Sequence, residues 1–163
     1  RDLIGAEIGV GEGRNALNML ETLNIKTLYL IDPYNEFGVG NSRFDSKCHN
    51  PQAQAAIGFS RARPLMEKYN STIVWINKVS HEAAVDIPRN SLDFIYIDGS
   101  HRYKEVREDI IDYSPKVKKG GIKGGHDYNR KTTVGKAVKE ILGEVHSAVV
   151  ESNPETQDWW VIK

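Results

Sequence analysis

The sequence predicts an α/β fold, an open and mostly parallel sheet with helices on both faces. Three observations predict it. Apolar runs of strand length alternate with stretches of helical period along the chain, as in strands joined by crossover helices. A glycine-spaced turn, Glu7-Ile8-Gly9-Val10-Gly11-Glu12-Gly13, stands between the first apolar run and the first amphipathic stretch. Polar and ionisable side chains (Glu7, Asp32, Ser80, Asp98, His126 and Asp127) fall where apolar runs end, and open α/β sheets bind ligands beyond the carboxyl ends of their strands.

Leu3 to Ile8 reads as the first strand. After the glycine turn, Ala16, Met19, Leu20 and Leu23 recur at i, i+3, i+4 and i+7, one face of a helix beginning near Arg14. Thr27 to Ile31 is continuously apolar apart from its first residue, as befits a parallel strand covered on both faces, and it ends at Asp32-Pro33. From Tyr34 to Asn50 neither period is present and glycine is frequent, which predicts a loop over the site. Pro51 suits the first turn of a helix running toward Tyr69, which Pro64 is expected to kink or split. Ile73 to Ile76 is a third strand, and a short helix follows through Ser80 to Ala84. Leu92 to Ile97 is the strongest strand and ends in Asp98-Gly99-Ser100-His101. Tyr103, Val106, Ile110, Tyr113 and Val117 share one helical face, with Pro115 marking the helix end. Lys119 to Tyr128 is a strand by position more than by propensity, since four glycines dilute it. Thr132 to Leu142 is a last helix. Ala148-Val149-Val150 and Trp159 to Ile162 close the chain as two strands joined by an Asn-Pro turn, antiparallel because the connection is too short for a crossover. Alternation in that final strand puts one of Trp159 and Trp160 inward and the other outward, a packing role.

Composition narrows the classes. The 163 residues are read as a single domain, 1–163, long enough to bury roughly 70% of the unfolded surface. Arg1 lies directly before an apolar strand, which leaves room for an N-terminal cap segment ahead of it. Lys plus Arg number 22 and Asp plus Glu number 22, so no overall field draws the chain to nucleic acid or to an anionic membrane. Cys48 is the only cysteine, which excludes an internal disulfide and a cysteine-cluster metal site and fits a reducing compartment. No apolar run approaches the ~20 residues of a membrane span, and a cytoplasmic protein is expected.

Alternate glycines at 9, 11 and 13 let the backbone turn sharply and approach a ligand, while the following helix aims free N–H groups at the same place. Arg14 stands where the dinucleotide pattern G-x-G-x-x-G wants its third glycine, so a nucleoside fits better than a pyrophosphate. Asp32 follows the turn at about the ~20 residues that separate a nucleotide loop from the carboxylate holding ribose hydroxyls. The plainer readings are an ordinary strand-to-helix turn, an Asp-Pro turn at Asp32, a cap at Ser80 and a cap at Asp98 for a helix starting near Ser100. They explain each residue singly but not the convergence.

These residues resemble a class I S-adenosylmethionine-dependent methyltransferase, with Glu7, Gly9, Gly11 and Gly13 as the cofactor loop and Asp32 on the ribose. Asp98-Gly99-Ser100-His101-x-Tyr103, Asp109, Gly120-Gly121 and His126-Asp127-Tyr128 are similar to the small-molecule O-methyltransferase group that includes macrocin O-methyltransferase. The resemblance implies a seven-stranded Rossmann-like sheet with a reversed last strand, Ser80 and Asp98 near the cofactor, and a hydroxylated small-molecule acceptor such as a sugar. It also implies a divalent metal on Asp98, His126 and Asp127, although His126 stands where the sugar-methylating members carry an acidic residue. Mixed oxygen and imidazole ligands suit manganese, iron or zinc better than magnesium. His101, with Asp98, is the first candidate for the catalytic base, and His126 the second if no metal binds. The alternatives are a nicotinamide-dependent oxidoreductase, which the early Glu7 and the absent third glycine oppose, and a non-catalytic cofactor-binding scaffold.

Overall fold

A computed structural model describes residues 2–34, 51–129, 132–150 and 153–163; the Tyr34–Asn50 loop expectation lies, beyond Tyr34, outside them. Seven strands form one sheet: β1 (Leu3–Ile8), β2 (Ile25–Ile31), β3 (Ile73–Ile76), β4 (Leu92–Ile97), β5 (Val117–Gly125), β6 (His146–Val150) and β7 (Asn153–Ile162). Their order is β3-β2-β1-β4-β5-β7-β6. β1 to β5 pair in parallel, and β7 runs antiparallel to both β5 and β6. The predicted architecture, including the reversed last strand, is therefore present.

Among the described residues, five α-helices connect the strands: α1 (Arg14–Thr22), α2 (Pro51–Leu65), α3 (Ser80–Ala83), α4 (Tyr103–Tyr113) and α5 (Thr133–Leu142). Strand alternation divides the core between the two faces. Leu28 and Leu30 of β2 pack with Ala16, Met19 and Leu20 of α1 and Ala62 of α2. Ala6 and Ile8 of β1 and Ile31 of β2 pack on the other side with Ala83, Val106, Ile110 and Val138. Each fully buried Leu or Ile contributes about 1.5–3 kcal/mol. No helix among the described residues is long and apolar enough to cross a membrane.

Three local expectations are corrected. Leu23 is not on the helical face: it takes an extended conformation as the residue ending α1 and is exposed. Val117 is not in α4 but opens β5, fully buried, because Pro115 sits in a 3-10 turn (Ser114–Lys116) that ends the helical run. Asn153 and Pro154 lie in β7 rather than in the connection. The helical run toward Tyr69 is split just after Pro64, as expected: α2 ends at Leu65 and a separate 3-10 turn follows at Glu67–Tyr69. Neither Ser80 nor Asp98 caps a helix, since Val79 precedes α3 and Arg102 precedes α4 in the capping positions.

The order of the strands positions the site. From β1 the chain steps outward to β2 and β3, then returns to β4 on the other side of β1. The helices that follow β1 and β4, α1 and α4, therefore pack on opposite faces of the sheet, and such an order opens a crevice at the strands' carboxyl ends.

Candidate active site

The turn after β1 lines that crevice. Gly9, Gly11 and Gly13 have φ of 83°, 54° and 80°, the left-handed region that glycine enters without steric cost. At Gly9 the demand is also for space: a Cβ there would lie 2.2 Å from the carbonyl oxygen of Asp98, so glycine lets the β1 and β4 loops touch. Gly13 lies against α2, where a Cβ would meet Met66 Cε at 2.6 Å. Arg61 of α2 pairs with Glu12, so α2 holds the turn from outside.

Asp32, the first residue beyond β2, braces the turn from within. Its Oδ2 accepts the backbone N–H groups of Val10 and Gly11, both at 3.0 Å, and its Oδ1 accepts that of Tyr34 at 3.1 Å. Burial pushes its pKa up, against the pull of those three donors. Tyr34 donates its hydroxyl to the Gly11 carbonyl at 3.0 Å and packs with Phe59 and Trp75.

Glu7 is the most deeply buried charged residue of the site, 1% exposed. Asn15 donates to Oε1 at 2.8 Å, and Oε2 has no partner among the described residues. Burial pushes its pKa up to about 8, opposed by the Asn15 hydrogen bond and reinforced by Asp98 and Asp32. An orphaned buried carboxylate oxygen has lost its hydration without replacement, and a cationic donor would supply the missing partner. The α-ammonium of S-adenosylmethionine is such a donor, so the residues present fit that cofactor.

Beyond β4 and β5 a second group converges. His101 Nε2 lies 2.7 Å from Asp127 Oδ2 and 3.9 Å from Asp98 Oδ1. Ligand atoms of Asp98, His101 and Asp127 all lie within 4.8 Å of one another. Asp127 reaches this place from a left-handed backbone, φ 57°. Asp98 has its pKa pushed up to about 6 by burial, with His126 the largest opposing influence. Two carboxylates and an imidazole fit a divalent ion of the manganese, iron or zinc type. The histidine of that set is His101, not the expected His126: the His126 ring turns Nδ1 to Asp158 Oδ1 at 2.8 Å, with Nε2 3.8 Å from Asp127 Oδ1.

Ser80, the first residue of α3, donates its hydroxyl to the buried Asp109 of α4 and accepts the Tyr113 hydroxyl at its carbonyl, 2.8 Å. It therefore holds α3 to α4. Asp109 has its pKa pushed up to about 7 by burial, against the Ser80 hydrogen bond. A cleft beside β4 is lined by Asp98, Ser100, His101, His126 and Trp159, and the buried indole Nε1 of Trp159 has no partner among the described residues.

Sequence reasoning missed Asn15 and Asp158. Asn15 carried a signal, being the second residue of α1 just across the glycine turn from the buried acid at the end of β1. Asp158 carried none, because it reaches the site only through the pairing of β7 with β5.

A family model described as a methyltransferase domain matches residues 6–128. The uncharacterized protein R132 of Acanthamoeba polyphaga mimivirus is 27% identical over 153 residues, 90% of this chain and 62% of that protein. The chain thus spans less than two thirds of that relative's length. An rRNA methylase from Streptococcus thermophilus matches 99% of this chain and 87% of its own, with a TM-score of 0.68 at 9% identity. The O-methyltransferase NovP matches 99% of this chain and 72% of its own, with a TM-score of 0.65 at 17% identity. Both likenesses are likenesses of fold.

Proposed function

The chain belongs to the family of methyltransferase domains, which implies S-adenosylmethionine as the methyl donor, and from that premise we propose that it methylates a hydroxyl of a sugar or another small hydroxylated metabolite. One observation carries the reading. The glycine turn with its orphaned Glu7 oxygen and the Asp98, His101 and Asp127 cluster flank the same crevice between β1 and β4. A donor site and an acceptor-activating site then stand side by side.

The cofactor supplies an electrophilic methyl group on a sulfonium. The chain's task is to align the two reactants and to exclude water, since in-line displacement needs no covalent enzyme intermediate. Glu7 holds the ammonium end, the turn holds the nucleoside, and Asp32 offers its remaining lone pairs to ribose hydroxyls while bracing the turn. His101 takes the acceptor proton at Nδ1, while its Nε2–H donates to Asp127 Oδ2 at 2.7 Å, which orients the ring. A divalent cation on Asp98, His101 and Asp127 would supply the same activation by lowering the acceptor's pKa, and the converging donor set is the specific observation favouring this second reading.

Balanced charge, 22 against 22, and the likeness of the Asp98-to-Tyr103 and His126-to-Tyr128 blocks to the macrocin O-methyltransferase group support a small acceptor over rRNA. The test is methyl transfer from methyl-labelled S-adenosylmethionine to a panel of sugars, phenols and short RNA, each with and without a chelator. Label on hydroxylated small molecules alone is the expected result. Label on RNA alone would reassign the acceptor, and chelator sensitivity would select the metal-assisted reading.

A further inference from the structure

Two strands reach across a third to hold one imidazole. Tyr96 of β4 donates its hydroxyl to Asp158 Oδ1 at 2.8 Å, and the same oxygen stands 2.8 Å from Nδ1 of His126. β5 lies between β4 and β7, whose backbones are then ~10 Å apart at a strand spacing of ~4.8 Å. Gly124 of β5 pairs with Tyr96 on one side and Trp160 on the other. Alternation places Tyr96, Gly124 and Asp158 on one face, so phenol and carboxylate meet across β5 on that face.

The chemistry of the three groups sets where each proton lies. An ionised carboxylate only accepts. Tyr96 is kept a phenol, its pKa pushed up by burial and then by the Asp158 hydrogen bond, so it donates. His126 must likewise present a proton at Nδ1, which leaves Nε2 of the neutral ring with a lone pair. That nitrogen is the one turned to Asp127, on a ring that lines the cleft with Asp98, Ser100 and His101.

We infer that Asp158 and Tyr96 are positioning residues that fix His126 in its Nδ1–H tautomer, so that Nε2 faces the cleft as a hydrogen-bond acceptor for a hydroxyl of the methyl acceptor other than the one His101 deprotonates. The purpose given to Nε2 rests on the methyl-transfer reading; the tautomer does not. Outer carboxylates set histidine ligands of metal sites in the same way, and losing one costs roughly 10- to 100-fold.

The test is nitrogen-15 NMR of histidine-labelled, cofactor-free protein above the imidazole titration, with His126→Gln used to assign the resonance. The wild type is expected to show Nδ1 protonated and Nε2 bare, Asp158→Ala to shift the ring toward Nε2–H, Tyr96→Phe to shift it partly, and Asp158→Glu to restore it. A wild-type His126 protonated at Nε2 would overturn the inference, and that spectrum decides even if a variant does not fold. An unchanged tautomer in folded Asp158→Ala would overturn it as well. With an acceptor in hand, Asp158→Ala should lower kcat roughly 10- to 100-fold and leave S-adenosylmethionine affinity intact; equal loss of both would make the residue merely structural and overturn the inference. Failure of the wild type to bind S-adenosylmethionine would instead remove the methyl-transfer reading and with it the purpose of Nε2, while the spectrum still judges the tautomer.

Discussion

Asp32 Oδ2 accepts the backbone N–H of Gly11 at 3.0 Å, so the acid assigned to the ribose also shapes the turn that receives the cofactor. Hydrogen bonds to a charged group contribute about 1.5–3 kcal/mol, and Asp32→Ala should therefore weaken S-adenosylmethionine by about 10- to 100-fold. Calorimetric titration measures this directly. Unchanged affinity would return Asp32 to the status of an ordinary turn residue.

Glu7 should show opposite effects on binding and on stability. Its Oε2 has no partner among the described residues and is proposed to receive the cofactor's ammonium, so Glu7→Gln is expected to cost about 10- to 100-fold in cofactor affinity. The same change removes a carboxyl that the fold keeps protonated to about pH 8 instead of 4.5, so at neutral pH the cofactor-free variant should gain on the order of a few kcal/mol. Thermal melting with and without cofactor separates the two. A variant that loses stability and keeps affinity would contradict both assignments.

The pH dependence of the cofactor-free protein follows from three buried carboxyls. Glu7, Asp98 and Asp109 have pKa values pushed up to about 8, about 6 and about 7. Between its ordinary and its raised value each group binds more protons folded than unfolded, so stability falls as pH rises through that window. Denaturant midpoints should decline from about pH 5 to about pH 8, and Glu7→Gln should flatten the upper part of the decline. A midpoint that climbs over this range would sink the assignment.

His101→Ala should lower turnover by about 10²- to 10⁴-fold while S-adenosylmethionine affinity stays near the wild-type value. The contrast with Asp32→Ala, which acts on affinity first, is the informative part. Saturation kinetics beside titration reads both, and wild-type turnover in the variant would remove His101 from the proton transfer.

The sheet was legible because its signals are local. Glycine spacing, apolar run length and helical period placed β1, β4 and α5 within a residue of their observed bounds, and even the glycine-rich β5 was recoverable from its place in the alternation. Boundaries failed where a residue suited two elements: Leu23 and Val117 continue a helical face by spacing, but an extended residue and a proline-bearing 3-10 turn end those helices first. Residues on strand ends were legible as a group, since topology alone brings Asp98 and Asp127 together. Which histidine joined them was not, because that choice depends on Asp158, carried in by a strand 32 residues further on. Asp109 stood within a motif, yet its contact with Ser80 belongs to helix packing that no spacing rule expresses.

The central claim is that the crevice between β1 and β4 is an S-adenosylmethionine site. Calorimetric titration of the protein with S-adenosylmethionine, with NADH as the control ligand in the same buffer, tests it most directly. Saturable binding of S-adenosylmethionine and none of NADH is the predicted result. Binding of NADH alone would contradict the account and restore the oxidoreductase reading.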